Sequence, residues 1–249
     1  MSRVDLHAVL DETAAAIDAA LDGVADWGLA GTVPGQHHSD IAVDAAAVKV
    51  LTGAGFGVLS EESGLHSPER DITVVVDPLD GSTNAAHGIP WYAVSLCAVD
   101  DKGALAALVV NLSSGRRFSA GRGAGAFVDG ARLVPSTTAR LSDSLLVLAG
   151  SPPPVVGSRQ WRVLGAAALD LCAVAEGVVD GYIDFNRNAH APWDYLGAML
   201  ICREAGANVG DAFDRELTVI DHAARRTPVA AGTRTLFEAV VDVRRAHDG

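Results

Sequence analysis

The chain has 249 residues, 49% of them hydrophobic and 20% charged, which is enough apolar sequence for a large core in one domain or two closely joined halves and excludes a disordered polymer. Its 31 acidic residues outnumber 19 basic ones, and the resulting formal charge of -12 repels phosphate backbones and anionic lipid, so nucleic acid polymers and membranes are not expected partners. An acidic chain can still take a phosphate ester where clustered carboxylates hold divalent cations that reverse the local field.

Along the chain, Leu6, Leu10, Ile17, Leu21 and Val24 recur at helical spacing, predicting an amphipathic helix over the first two dozen residues. The N-terminus has no apolar h-region and no run reaches membrane-spanning length, so a cytoplasmic location is expected. A second helix should start at Ser39 or Asp40, both good caps, and end at Gly53. Its apolar stripe reads Ile41, Ala45, Val48 and Thr52, and Asp44 falls within ~60° of Ile41 on that stripe. Residues 55–60 and 73–77 read as buried strands that end in Glu61-Glu62 and in Asp77. Two apolar runs between 91 and 112, split by Asp100-Asp101-Lys102-Gly103, form a hairpin, and the β pattern continues from 118 to 134. Pro152-Pro153-Pro154 interrupts regular structure, so an N-terminal half (1–140) and a C-terminal half (141–249) are expected to make up one catalytic unit. The second half should hold helices over 165–176 and 193–205, short strands over 181–185 and 228–231, and a terminal helix. Hairpins interleaved with helices favour a layered α/β or α+β fold over an alternating barrel. Cys97, Cys172 and Cys202 are far apart and read as buried reduced thiols.

The chemistry concentrates at Asp77-Pro78-Leu79-Asp80-Gly81-Ser82. The Val74-Val75-Val76 run delivers Asp77 to a strand end, Pro78 is expected to stop the ladder, and Asp80-Gly81-Ser82-Thr83 supplies a capping side chain, a permissive glycine and hydroxyls for a tight turn into a helix. Backbone N–H groups at such a turn can hold a phosphate. Asp77, Asp80 and the Leu79 carbonyl offer hard oxygens suited to Mg²⁺. Glu61 from a neighbouring strand end extends the set to two cations, and Asp194 is a further candidate ligand. A lone DxxD more often makes only an Asx-turn and a cap. Here a second acidic strand end and an acid on an apolar helix face add to it.

These residues resemble the inositol monophosphatase-like family, whose DP(I/L)DG(S/T)xN signature is matched by Asp77 to Asn84. Glu61-Glu62-Ser63 and Trp193-Asp194 match further elements, and weaker matches at Gly123-Ala124-Gly125-Ala126-Phe127 and Gly165-Ala166-Ala167-Ala168 extend the likeness over about residues 40 to 231. The resemblance implies an αβαβα layered sandwich, a homodimer, lithium inhibition and two or three Mg²⁺ per site held by Glu61, Asp77, Leu79, Asp80 and Asp194. It implies that Asp44 and Ser82, with Glu61, activate the water, and that Asp80, Gly81, Ser82, Gly165, Ala166, Asp184 and Asp194 meet a small phosphorylated metabolite. Departures at Ile41, Ala85, Ala166, the Asp184 spacing and the Gln36-His37-His38 loop bear on the substrate. Inositol phosphate leads, with histidinol phosphate, fructose 1,6-bisphosphate and adenosine 3′,5′-bisphosphate as alternatives. A phosphoaspartate phosphatase would need DxD, which is not present at this strand end. A non-catalytic phospholigand binder would have no use for Asp44 and Ser82.

Overall fold

The computed structural model describes residues 5–25, 27–28 and 38–247. Helix α1 (Leu6–Asp22) is capped by Asp5, whose side chain accepts from the Ala8 amide at 3.4 Å, and it buries Leu10, Ala14, Ile17 and Leu21. Helix α2 (His38–Gly53) turns a different face inward from the one expected. Val43, Ala47 and Leu51 are buried with Asp40 and Asp44, whereas Ile41 is 43% exposed. The helix is apolar nearly all round, so two stripes compete, and the one carrying Leu51 buries more surface. Asp44 lies beside both stripes and is buried either way.

Strands β1 (Gly57–Ser60), β2 (Gly64–His66), β3 (Thr73–Asp80), β4 (Ala93–Asp100), β5 (Gly103–Asn111), β6 (Arg117–Gly121), β7 (Gly125–Val128) and β8 (Ala131–Arg132) form one sheet in the order β2-β1-β3-β4-β5-β6-β7-β8. Only β1 and β3 pair in parallel. Pro78 does not end β3. Pairing with β4 passes from Asp77↔Ser95 to Asp80↔Ala93, so three steps on β3 oppose two on β4. This bulge absorbs the proline's missing donor and lets the strand resume. The short helix α3 (Ser82–Ala86) follows.

A second sheet combines β9 (Leu145–Ala149), β10 (Gln160–Arg162), β11 (Gly181–Asp184), β12 (Asn208–Asp211) and β13 (Pro228–Ala231) in the order β10-β9-β11-β13-β12. Helices α4 (Ala167–Glu176) and α5 (Pro192–Ala205) lie between the sheets, and α6 (Arg234–His247) covers the far face of the second. The layers are therefore α1/α2, first sheet, α4/α5, second sheet and α6, the αβαβα sandwich expected.

Alternate residues of β3 show how the layers are held. Val74 and Val76 pack with α1 and α2, while Val75 joins the core built by α4 and α5. The second sheet divides likewise, Val147, Tyr182 and Ala230 facing α4 and α5, Leu146, Leu148, Ile183 and Val229 facing α6. Strands covered on both faces read as continuous apolar runs, which is why 73–77 and 228–231 were legible. Among the described residues no helix is long and apolar enough to cross a membrane.

Candidate active site

The acidic strand ends meet at a cavity of about 520 Å³. β1 and β3 run parallel with Ser60 level with Val76, and the Glu61 amide donates to the Val76 carbonyl at 3.2 Å, which sets Glu61 beside Asp77. Glu61, Glu62, Asp77, Pro78, Leu79, Asp80, Gly81 and Ser82 form one wall. Asp40 and Val43 of α2 add a second, and Trp193 and Asp194 of α5 with His222 and Arg225 complete it.

Local bonds aim these side chains. Asp77 accepts from the Leu79 amide at 3.0 Å, the Asx-type turn expected of an aspartate before a bulge. Asp80 does not cap the helix that follows it, since α3 has no side-chain cap. Its two oxygens instead accept from the Ala167 and Ala168 amides at 3.2 and 2.7 Å, capping α4 across the interface. The positive end of α4 thus holds this carboxylate. Gly81 has φ +85, and a Cβ there would meet the Trp91 carbonyl at 3.0 Å and the Ala166 methyl at 3.1 Å, so only glycine permits the close approach. Asn84 Nδ2 clamps this turn by donating to the Trp91 and Leu164 carbonyls, both at 2.8 Å.

Of the residues singled out from sequence, Glu61, Asp77, Leu79, Asp80, Gly81, Ser82 and Asp194 share the cavity. Gly165 and Ala166 stand behind Gly81, off the wall. Asp44 is also off the wall, its carboxylate receiving the buried Ser60 hydroxyl. Asp184 is fully buried and off the wall, bonded to the Asn186 amide at 2.8 Å and linked to the cavity through His190 and Asp194. That imidazole lies 3.1 Å from Asp194 at Nδ1, and its Nε2 is 2.9 Å from the Tyr182 hydroxyl and 3.6 Å from Asp184. Gln36 and His37 lie outside the described residues, and His38 is exposed on a separate groove beside α1.

Burial, followed by the charges of Asp194 and Glu62, pushes the Glu61 carboxyl up to about 8. Asp77 is raised by burial and then by Glu61 and Asp80. Burial and Asp194 lift Asp80 to about 7 against the α4 amides. For His190 burial alone would lower the value, but the hydrogen bond and charge of Asp194, with Asp184 and Asp80, raise it to about 9. The wall therefore stores repulsion among hard oxygen donors that a cation would relieve. Among the described residues no three His, Cys, Asp or Glu side chains stand as a ready-made ligand set, so the fit rests on donor chemistry and on this repulsion.

Asp40, Glu62, His222 and Arg225 were not singled out from sequence. Asp40 read as a cap and Glu62 as a neighbour of Glu61. Nothing local marks His222 and Arg225, which reach the cavity from the loop between β12 and β13.

Residues 40–248 match the model of the inositol monophosphatase family. A fructose-1,6-bisphosphatase of Pyrococcus furiosus is 33% identical over 183 residues, 73% of this chain and 72% of that one. An inositol-1-monophosphatase of Mesorhizobium japonicum is 32% identical over 205 residues, 75% of this chain and 73% of that one. The solved structure of an inositol monophosphatase from Anabaena superposes with a TM-score of 0.78 at 26% identity, covering 98% of this chain and 97% of that one. The chain belongs to the inositol monophosphatase family and is, with it, a phosphoric monoester hydrolase.

Proposed function

We propose that the chain hydrolyses a small phosphate monoester with Mg²⁺, using the cavity closed by Asp77 and Asp80. The observation that carries this reading is the meeting of Glu61, Asp77, Asp80 and Asp194, from β1, β3 and α5, on one cavity where burial and mutual repulsion raise three of them. These four carboxylates and the Leu79 carbonyl would hold the metal, in keeping with the general metal dependence of the family. Bound Mg²⁺ supplies a lowered pKa for a water and offsets charge on the phosphoryl group.

The protein's own groups do the rest. Ser82, on the wall beside Gly81, orients the water through its hydroxyl, and the Gly81 and Ser82 amides hold phosphate oxygens. Asp44, off the wall and fixed by the Ser60 hydroxyl, would receive the proton only by relay. Asp80 keeps one geometry because α4 grips both its oxygens, which favours positioning at little reorganisation cost. Gly165 and Ala166 act by shaping the turn at Gly81, and Asp184 acts through His190. A homodimer goes with this reading on family membership alone.

The test is inorganic phosphate release from inositol 1-phosphate, histidinol phosphate, fructose 1,6-bisphosphate and adenosine 3′,5′-bisphosphate, with Mg²⁺ and with EDTA. Release that requires Mg²⁺ is expected from at least one. No release from any of them, or release unaffected by EDTA, overturns the reading.

A further inference from the structure

Six carboxylates line the cavity, from Asp40, Glu61, Glu62, Asp77, Asp80 and Asp194, and Arg225 is the one Lys or Arg among the described residues on its wall. An arginine in such company would ordinarily pair with a carboxylate. Among the described residues, none stands within ion-pair distance of it. Instead Arg225 is held by neutral groups. Its Nη1 donates to the His222 and Ala224 carbonyls, both at 2.8 Å, which uses both hydrogens of that nitrogen. The guanidinium lies over the Trp193 ring at 5.4 Å, and the other neighbour of that ring, His222, lies 4.8 Å from it and bonds the Glu61 carbonyl at 3.0 Å. Trp193 is itself buried and precedes Asp194 on α5.

Among the described residues Nε and Nη2 donate to no protein group, while Arg225 lines the cavity. These two nitrogens form the side of a guanidinium that grips two oxygens of a carboxylate or phosphate in parallel bonds. Fixing the group by two carbonyls and an aromatic face removes most of the rotamer freedom that binding an anion would otherwise cost. The neighbouring Arg226 differs, since its Nε and Nη1 are spent on the Glu216 and Arg225 carbonyls and it does not line the cavity.

We propose that Arg225 is a specificity-determining residue that binds a second anionic group on the substrate, so that the cavity favours phosphate monoesters bearing another carboxylate or phosphate over those of neutral polyols. This rests on the phosphatase reading above for the position of the reacting phosphate.

The experiment compares the full chain with Arg225→Met and Arg225→Lys, in Mg²⁺, on three substrates: myo-inositol 1-phosphate with a neutral ring, 3-phosphoglycerate with a carboxylate, and fructose 1,6-bisphosphate with a second phosphate. Losing a charged bidentate contact should lower the preference for a compound with a second anionic group, as the ratio of kcat/KM values, by about 10- to 100-fold in the Met variant. The change should sit mainly in KM, and Lys should restore only part of it because it lacks the fork. Which of the two compounds with a second anionic group responds identifies the anion. An equal loss on all three, or no loss, overturns the proposal, because Arg225 would then be touching the reacting phosphate or only bracing its loop. If wild type turns over none of them, ligand-induced thermal shifts with the same compounds decide the matter, and the phosphatase reading is judged separately on histidinol phosphate and adenosine 3′,5′-bisphosphate. A shift with the compounds bearing a second anionic group that Arg225→Met abolishes supports the subsite, and equal shifts in both proteins overturn it. Thermal unfolding of each variant guards against misfolding, and Arg225→Gln replaces Met if Met fails to fold.

Discussion

The repulsion stored in the cavity wall makes Glu61→Gln the most informative single change. In the folded chain the Glu61 carboxyl is pushed up to about 8 from an ordinary value of 4.5. Because the folded value is the higher, the fold is favoured by protonation, and stability from this group is fully present below about pH 4.5 and is lost as pH rises towards 8. One pKa unit corresponds to about 1.4 kcal/mol, so at pH 7 the 2.5 units traversed amount to about 3 kcal/mol, against less than about 1 kcal/mol at pH 5. Glutamine removes the titration while preserving shape. With EDTA present, Glu61→Gln should therefore melt close to wild type at pH 5 and above it at pH 7, by about 6 to 12 °C for a chain of this size. Mg²⁺ should reverse the order, since only wild type keeps the ligand charge and a ligand at 100 times its Kd adds about 2.7 kcal/mol. Differential scanning calorimetry at pH 5, 6, 7 and 8, with EDTA and with Mg²⁺, reads all of this. Parallel pH profiles for the two proteins in EDTA, or a glutamine variant that is the less stable at pH 7, would refute the electrostatic account.

The remaining expectations concern neighbouring residues. Asp77→Asn keeps an oxygen for the Leu79 amide, so it should fold normally yet lower Mg²⁺-dependent phosphate release by more than about 100-fold, above the range seen when only a supporting group is lost. Asp80→Asn should lose as much activity and also stability, by about 0.5 to 2 kcal/mol in chemical denaturation, because one oxygen cannot cap both α4 amides. Undiminished turnover in both would remove the ligand assignment. Trp91→Phe deprives the buried Asp170 carboxylate of its 2.8 Å indole donor and should cost about 1 to 3 kcal/mol by the same measurement. An unchanged denaturation midpoint would show that the bond contributes nothing to the fold.

What could be read from sequence was whatever is contiguous in it. Val74-Val75-Val76 followed by Asp77-Pro78-Leu79-Asp80-Gly81-Ser82 carries its strand, its turn and its oxygen donors within nine residues, and the structure keeps them in that order. The hairpin at 100–103 and the helix over 193–205, closed in the structure by Gly206, were equally local. Where two local signals were of similar strength, the reading failed. Ile41 and Val43 both began plausible stripes on α2, and only packing against α1, β1 and β3 decided between them. β9 is a run of leucine, valine and alanine that suits helix or strand alike, and β2, β10 and β12 have three or four residues each, too few to show a period. The bulge that accommodates Pro78 depends on β4, so proline alone suggested a stop.

The partners of the site residues lay still further out of reach. Asp80 finds its donors 87 and 88 positions away, at an end of α4 whose sequence Gly165-Ala166-Ala167-Ala168 has no polar cap of its own. That deficiency has a consequence: a helix lacking a cap presents open amides, and a buried carboxylate nearby needs donors, so each feature, unfavourable alone, is satisfied by the other once the sheets enclose α4. The same reasoning applies to Arg225, whose loop is carried to the cavity by β12 and β13 and steadied on Trp193. Three of the proposed metal donors, Asp77, Leu79 and Asp80, are contiguous in one motif, whereas Arg225, proposed to separate one phosphate ester from another, comes from a segment more than 100 residues away, which explains why reaction class was legible and substrate was not.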